Sequence, residues 1–487
     1  MRRNLLARFG GVLVLLLAGL HSGAFSQNIG DALRLSGPGL TFSARALGMG
    51  NAFSTIGYDY SGVRLNPATL GNIRASTYSA SINTNSFPGT SKYNQIENYF
   101  ATTSTSFSQL GIAIPFLVDS SNFVLSLGYT QSKDFNQSLK YGAFNPSPNS
   151  VIQDLTAANS EFARALGLSY QEFDPVTNEY LGDRTIVNGN LDESGFILDQ
   201  GGLVHFSAGA GFELMPGVFF GASGSYAVGT YLSDREYYEK DTQNNYDSTI
   251  QTNPADTRTR DFQQFYLHDV RDVEYSGWDF KFGVLYKFYN FMAISAAFKI
   301  PTAHTVSEIR NVSGFAEYEG GTLTTAHGME TETLYKVTPP YEATVGAMIN
   351  LWILTGTLEA TYVDYTQMTF SGGNIELPDR TLAIKEAKER LTQVLNINGG
   401  AEFRLPFTGL SARAGFMYRP SPFKDDPMEF DTKVVTTGLG INSSDRLMFD
   451  VGYAIGFWTQ RGNQYGLEDM TQEVVTHNIL VSVKFAF

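Results

Sequence analysis

Residues 278–288, WDFKFGVLYKF, alternate between two kinds of side chain. The even positions hold Trp, Phe, Val and Tyr, whereas the odd positions include Asp279, Lys281 and Lys287. Successive side chains of a β-strand point to opposite faces, so this pattern predicts a strand with one large apolar face and one mixed face. The pattern returns at residues 446–458 and 479–487. A soluble sandwich also alternates, but repeated apolar faces of about 9–11 residues favour strands that cross a membrane.

The connections between such strands give the strand number. Six short connections interleave with seven long ones. The short ones are residues 118–121, 215–217, 289–290, 351–353, 406–408 and 443–445, and the long ones are 85–98, 133–200, 232–275, 303–340, 368–392, 420–430 and 460–470. We therefore predict an all-β fold, a 14-stranded antiparallel transmembrane β-barrel over residues 74–487. Short turns of bacterial outer-membrane barrels face the periplasm, so we expect both chain ends there.

Composition excludes several classes of protein. The chain has 487 residues and a net charge of −14, and this acidity argues against a nucleic-acid partner. It has no cysteine, which excludes a disulfide framework. Its histidines are scattered without metal-ligand spacing, and no phosphate-binding glycine loop is present. We expect no metal, no cofactor and no enzymatic activity.

The first 26 residues are typical of a secretion signal. Three arginines precede the apolar run at residues 10–20, and small residues follow up to Ser26. We predict a signal peptide over residues 1–26, cleaved after Ser26. Together with the barrel it predicts a location in the bacterial outer membrane.

Residues 27–73 separate this signal from the first strand. They contain ARALGMGNAFSTIGYDYSGVRLNPATLG at residues 44–71, which is rich in glycine and small residues and has no strand alternation. A barrel of 14 strands encloses more space than its wall side chains fill. Because glycine lets the backbone approach a wall closely, we predict that residues 27–73 fold into the lumen as an N-terminal hatch, or plug.

This stretch resembles the hatch signature of the FadL-type outer-membrane transporters of hydrophobic compounds. Residues 44–50, Ala52, Phe53 and residues 66–68 match that signature, whereas Asn51 and Thr69 stand where the family usually has glycine. The resemblance implies a monomeric barrel in which the hatch gates passage of a fatty acid or an aromatic hydrocarbon. The residues that it assigns to the hatch are Gly48, Gly50, Asn66, Pro67 and Ala68.

The resemblance also places a lateral opening in the third strand, SNFVLSLGYTQ. We predict that Gly128 admits a kink there, through which an apolar ligand leaves directly into lipid. The alternative is that Gly128 only relieves crowding in the lumen.

The large outer loop at 133–200 carries a candidate apolar ligand groove. Its residues are Phe135, Phe144, Leu155, Phe162 and Leu166. Residues 151–170 have helical spacing, so the alternative is a loop helix that packs on its neighbours. A second amphipathic segment, from residue 379, is predicted as a solvated helix over the barrel mouth.

Charged residues are expected to face the lumen. Arg404 and Arg413 are candidate partners for a ligand carboxylate, and the alternative is a set of salt bridges between wall and hatch. Arg45 and Arg64 of the hatch would then be suited to Glu213 or Asp450.

Three functions remain open at this stage. The first is passive uptake of hydrophobic small molecules. The second is an accessory barrel that binds protein cargo or docks a larger secretion translocon. The third, an outer-membrane hydrolase, depends on His268 beside Asp269 and has no nucleophile motif to support it. Expected partners are membrane lipid, the hydrophobic ligand, and the barrel assembly machinery through the C-terminal strand that ends in Phe487.

Overall fold

The computed structural model describes residues 22–487 apart from 40, 58, 119–120, 158–160, 326–328, 375–376, 444–445 and 462–469. Residues 1–21 of the predicted signal peptide lie outside the described residues. No helix in the described part of the chain is long and apolar enough to cross a bilayer.

Fourteen antiparallel strands form a closed barrel, which confirms the predicted fold. They are β1 Thr77–Tyr93, β2 Ile96–Val118, β3 Ser121–Asp134 with Gln137–Asn145, β4 Leu191–Met215, β5 Val218–Lys240, β6 Phe262–Phe288, β7 Met292–Ile300 with His304–Tyr318, β8 Met329–Thr338 with Glu342–Leu351, β9 Leu354–Asp364 with Thr369–Ser371, β10 Gln393–Arg404, β11 Leu410–Arg419, β12 Thr432–Asn442, β13 Leu447–Arg461 and β14 Thr471–Ala486. The barrel closes where β14 pairs with β1, from Thr77 opposite Ala486 to Lys92 opposite Thr471. Prolines stand at the breaks in β7 and β8, because proline donates no ladder hydrogen bond.

The outer face of the wall is apolar, whereas charged side chains on the same strands are buried on the inner face. On β6, Trp278, Phe280 and Phe282 are 53%, 41% and 49% exposed, whereas Asp279 between them is 5% exposed. β13 repeats this, with Phe449 and Val451 exposed and Asp450 buried. The alternation predicted from the sequence is therefore the division between outside and lumen.

The strand ends that border the six short connections lie where the sequence predicts them, and residues 119–120 and 444–445 of two of these connections lie outside the described residues. Several long connections are mostly strand. β1 and β2 continue as a hairpin to a turn at Asn94 and Gln95, so the predicted loop at 85–98 is wrong. Ser, Thr and Asn are frequent in this hairpin and ladder hydrogen bonds hold it, while its Tyr93 and Phe100 are buried in an apolar cluster with residues of the outer loops. On β5 the outward residues are apolar up to Val228 and include Asp234 and Glu236 farther along, so the upper wall extends past the apolar band.

Six helices accompany the barrel in the described residues. They are α1 Ser22–Leu35, α2 Ala44–Gly48, α3 Gly62–Leu65, α4 Val151–Ala157, α5 Glu161–Ala165 and α6 Leu377–Arg390. Short 3-10 helices span Pro67–Asn72, Thr257–Thr259 and Tyr365–Gln367, and the minor strands are Tyr170–Phe173, Tyr180–Arg184 and Gly321–Thr324. α1 runs across the predicted cleavage position after Ser26.

At the C-terminus, Phe487 lies beside the closing seam. Its ring stacks on Tyr78 at 5.1 Å, and its amide donates to the carbonyl oxygen of Ser76 at 3.0 Å. Recognition of this end by the assembly machinery stays a prediction.

Candidate functional site

Residues 41–73, called here the docking segment, contact the inner wall at a ring of wall glycines. A Cβ atom built on any of these glycines would lie only 1.8 to 3.1 Å from an atom of the docking segment. The glycines are Gly111, Gly128, Gly211, Gly221, Gly283, Gly346, Gly400, Gly415, Gly438 and Gly452. The segment therefore lies against bare backbone, at a distance that no other residue type permits.

Asn66 is fully buried where the docking segment meets β6. Its Nδ2 donates to the carbonyl oxygens of Ser54 at 2.9 Å and Val284 at 3.3 Å. Its Oδ1 accepts from the amide of Ala68 at 3.1 Å and so caps the 3-10 helix Pro67–Asn72. Pro67 at the first position of this helix loses nothing by lacking an N–H.

Gly48 and Gly50 contact another sector of the wall. A Cβ on Gly48 would lie 3.1 Å from the Cα of Gly438 on β12. Gly50 has a φ of 60°, and its Cβ would lie 2.4 Å from the carbonyl oxygen of Gly399. The predicted hatch residues thus contact the wall in two groups, one formed by Gly48 and Gly50 and the other by residues 66–68.

A buried ion-pair network joins the docking segment to β10, β11 and β13. Glu402 accepts from Arg45 and from Arg413, each at 2.8 Å, and from Arg404 at 3.0 Å. Arg413 also pairs with Asp450 at 2.7 Å. Arg404 and Arg413, the candidates for binding a ligand carboxylate, are therefore already paired with wall carboxylates.

The partners of the hatch arginines differ from those considered from the sequence. Arg45 pairs with Glu402, and Arg64 lies 3.5 Å from Asp279. Glu213 pairs instead with Arg74 at 2.6 Å, at the end of the barrel that carries the short turns. Arginines of the docking segment therefore do pair with wall carboxylates, but the partners are those nearby in the folded barrel and not the ones expected from the sequence.

A cavity of about 130 Å³ lies between the docking segment and strands β3 to β11. Charged and polar side chains dominate its lining. Asp279 accepts from His205 at 2.9 Å, and Lys299 lies 3.7 Å from Asp279 and 3.2 Å from Glu342. The cavity also holds buried polar atoms without a hydrogen-bond partner among the described residues, including Asn398 Oδ1.

Three cations on the cavity wall have no carboxylate within ion-pair distance among the residues that the structure describes. Lys281 donates to the carbonyl oxygen of Arg64 at 2.8 Å, and Arg419 donates to that of Gly39 at 3.5 Å. Lys133 donates to the carbonyl oxygen of Ser36. The cavity therefore holds three basic side chains that none of its carboxylates pairs.

β3 is irregular beside this cavity, four residues beyond Gly128. Gly128 itself pairs in register with Gly111 and Ser207, and a Cβ there would lie 2.9 Å from the ring of Tyr60. The register shift lies between Gln131 and Lys133, and Ser132 and Lys133 line the cavity. An opening at Gly128 stays a prediction, and the observed irregularity is at Ser132.

The five residues of the predicted groove do not form one surface. Phe162 and Leu166 are 3% and 0% exposed in an apolar cluster with Tyr93, Ile152 and Tyr237, called here the upper core, and Leu155 packs against it. Phe135 instead packs on Tyr231 and Tyr275, at 5.8 and 6.3 Å, in a separate core around α1. Phe144 is half-buried in β3.

The helical spacing at 151–170 forms two short helices, α4 and α5, whose apolar side chains enter the upper core. That packing matches the alternative interpretation of the segment. α6, predicted as a solvated helix, buries Ala383 and Ala387 in the core around α1.

α1 is held in the barrel through Asp31, which is fully buried. Its carboxylate accepts from Tyr275 at 2.9 Å, Tyr335 at 2.8 Å and Arg271 at 3.3 Å, and Arg34 contacts it from the same helix. Burial alone would raise the pKa of Asp31, but the two guanidinium groups and the tyrosine hydroxyls hold that pKa below its ordinary value.

No family model and no curated protein sequence matches this chain. Solved structures do match it. The toluene transporter TodX of P. putida aligns with a TM-score of 0.55 and 14% identity over 92% of this chain and 99% of TodX. A Pseudomonas aeruginosa FadL homologue aligns with a TM-score of 0.58 and 11% identity, over 93% of this chain and 100% of that one.

The chain has the fold of the FadL-type channels. At these identities the likeness concerns the fold, and it covers nearly the whole barrel.

The wall glycines are the part of the site that sequence reasoning missed. A signal for them exists, because glycines lie at similar distances on both sides of several short turns. Gly211 and Gly221 flank the turn after β4, and Gly438 and Gly452 flank the turn after β12. Lys133 and Arg419 carry no such signal, since only the closed barrel brings β3 near β11.

Proposed function

We propose that this protein is an outer-membrane channel for passive uptake of hydrophobic small molecules. The observation that carries the proposal is a closed barrel with an apolar outer face whose lumen is occupied by a segment docked on wall glycines. Any solute that passes requires the docking segment to move. The solved structures of the same fold include a protein described as a toluene transporter, which supports a hydrophobic solute.

The route that we propose ends sideways, in β3. The register shift at Ser132 borders the cavity, and just below it Leu125 and Leu127 face outward, 46% and 63% exposed. A ligand that leaves here enters lipid without exposing an apolar tail to water. We place the opening between Gly128 and Ser132.

Within the two ligand classes, the cavity favours an amphiphile with an ionised head, as in a long-chain fatty acid. Lys133, Lys281 and Arg419 offer donors that no carboxylate of the cavity pairs. A neutral aromatic hydrocarbon gains nothing from these donors, whereas a carboxylate forms charge-assisted hydrogen bonds with them.

A second candidate function is the accessory barrel with a protein partner. The upper core supports it, because Phe162 and Leu166 of the predicted groove are buried in this apolar cluster and Leu155 packs against it. A barrel that only holds cargo or docks a translocon needs no moving lumenal segment, and this difference separates the two candidates.

A reversible tether provides the test. Ser54 of the docking segment and Ser295 of β7 lie with their Oγ atoms 3.1 Å apart, and the chain has no cysteine of its own. Oxidised Ser54→Cys/Ser295→Cys should lose uptake of a radiolabelled fatty acid in cells without other fatty-acid channels, and reductant should restore it. The matched control is Ser207→Cys/Ser225→Cys, whose hydroxyls are 2.7 Å apart on two wall strands and leave the segment untethered. Full uptake through the oxidised tether would favour the accessory barrel.

The ligand class has its own test. Lys133→Gln and Arg419→Gln each remove one charged donor, worth about 1.5–3 kcal/mol in a charge-assisted bond, so fatty-acid uptake should fall about tenfold or more. Toluene uptake by the same variants should stay unchanged. Equal loss of both solutes would reject the ionised head group.

A further inference from the structure

Three aromatic residues at one end of the barrel have backbone angles that aromatic residues rarely adopt. Tyr289, Trp352 and Phe407 have φ values of 52°, 56° and 65°. In this left-handed region the Cβ atom of an L-residue crowds the following carbonyl oxygen, so glycine, asparagine and aspartate are the usual occupants. The three residues lie in the short turns after β6, β8 and β10, which are successive turns around the rim.

Elsewhere the chain follows the usual preference. Every other non-glycine residue with positive φ in the described part is an asparagine, an aspartate or a glutamine. The turn at the opposite end of β1 and β2 uses Asn94 and Gln95. Turn geometry therefore does not select aromatic residues, and some other interaction has to compensate for their backbone cost.

The three rings are also almost completely exposed. Tyr289, Trp352 and Phe407 are 83%, 79% and 104% exposed, and we call them the turn aromatics. Their neighbours along the chain are exposed apolar residues too, such as Phe288 and Leu351 at 48% and 52%. The turn aromatics thus continue the apolar outer face of the barrel past the ends of the strands.

We propose that the turn aromatics insert into the boundary between head groups and acyl chains of the membrane leaflet on this side, and so anchor the rim of the barrel in phospholipid. The proposal rests on the membrane location assumed in the proposed function and not on transport. Tyrosine and tryptophan rings prefer this boundary because they combine an apolar body with a polar tip. Continuity with the lipid-facing wall selects lipid over a protein partner as the occupant.

Trp352 reports its own surroundings. The chain has three tryptophans, so Trp278→Phe/Trp458→Phe leaves Trp352 as the single tryptophan, whose emission is excited selectively at wavelengths that tyrosine does not absorb. In phosphatidylethanolamine–phosphatidylglycerol vesicles we expect blue-shifted emission, quenching by lipids brominated near the head group, and little quenching by iodide. Strong iodide quenching without lipid quenching would overturn the proposal. Protection from both quenchers would also overturn it, because a protein surface would then cover the ring.

Substitution gives an independent measurement. Asparagine fits a left-handed backbone better than an aromatic residue, so a turn that stands in water should tolerate Trp352→Asn or gain stability from it. Insertion into lipid predicts the opposite, a lower urea midpoint in vesicles for Trp352→Asn, with Trp352→Tyr close to the unmodified protein. Gln95→Asn at the opposite end is the control, and its urea midpoint should equal or exceed the unmodified value. A midpoint for Trp352→Asn that equals or exceeds the unmodified value would reject the anchor, whether or not the channel transports.

Discussion

Replacing Gly221 by alanine tests whether contact with wall glycines holds the docking segment in place. The new Cβ would lie 2.2 Å from the carbonyl carbon of Pro67 and 2.4 Å from the amide nitrogen of Ala68. Both atoms are backbone, so no flexible side chain can yield. The segment has to move about 1 Å away from the wall to restore ordinary contact distances.

The loss of docking free energy in Gly221→Ala follows from packing and from hydrogen bonds. Overpacking of this kind costs about 1–3 kcal/mol. The shift also strains the bonds from Asn66 to Ser54 and Val284, each worth about 1 kcal/mol net. Docking should therefore weaken by about 2–4 kcal/mol, or about 30- to 1,000-fold in the undocked population. The strand itself should not suffer, because alanine is preferred over glycine inside a strand by about 0.5–1 kcal/mol.

Hydrogen–deuterium exchange measured by mass spectrometry separates segment from wall. Amides at 62–73 should exchange faster in Gly221→Ala, whereas those of β4 to β6 should keep their protection. Gly356→Ala is the matched control, because a Cβ at Gly356 meets nothing within 4 Å. Unchanged protection of the segment would refute the docking geometry, and equal loss through β4 to β6 would show that the wall yields instead.

Further predictions concern three carboxylates. Glu402→Gln leaves buried arginines underpaired and should lower the free energy of unfolding by about 3–5 kcal/mol in denaturant titrations, against about 0–1 kcal/mol for Glu213→Gln, whose partner Arg74 is exposed. Asp31→Asn removes the charge that Arg271 faces, so amides at 29–35 should lose protection from exchange. Burial raises the pKa of Glu239, on the upper wall beyond the apolar band, from 4.5 to about 7, although Ser150 donates to its carboxylate. The carboxyl group of Glu239 therefore binds its proton more tightly when the upper core is packed than when the upper core has opened to water. The stability that this difference gives to the upper core should be complete below pH about 4.5 and should fall as the pH rises toward 7. Amide exchange at 151–157, corrected for intrinsic rates, should therefore accelerate over this range. Opening that does not depend on pH, or the same response in Glu239→Gln, would contradict the prediction.

The sequence predicted the wall well and the site in part. Alternation placed Trp278 outside and Asp279 inside, and the breaks between alternating segments placed the strand ends that border the six short connections. The hatch signature drew attention to Asn66, which does lie at a buried junction with the wall. The prediction of one groove shared by residues such as Phe135 and Phe162 did not match the structure, because these side chains pack in two separate cores. Helical spacing shows that a face is apolar but not which core it packs into.

What the sequence by itself determined is local. A two-residue period and a turn are each set by consecutive residues, and the pleat of a strand converts that order directly into an outside and an inside. Only the tertiary structure decided which wall atoms meet the docking segment. Arg45 and Glu402 are 357 residues apart, and the cavity joins Lys133 to Arg419. Contacts across the lumen depend on the register of every strand between the partners and on the closure of β14 onto β1, so no local pattern contains them.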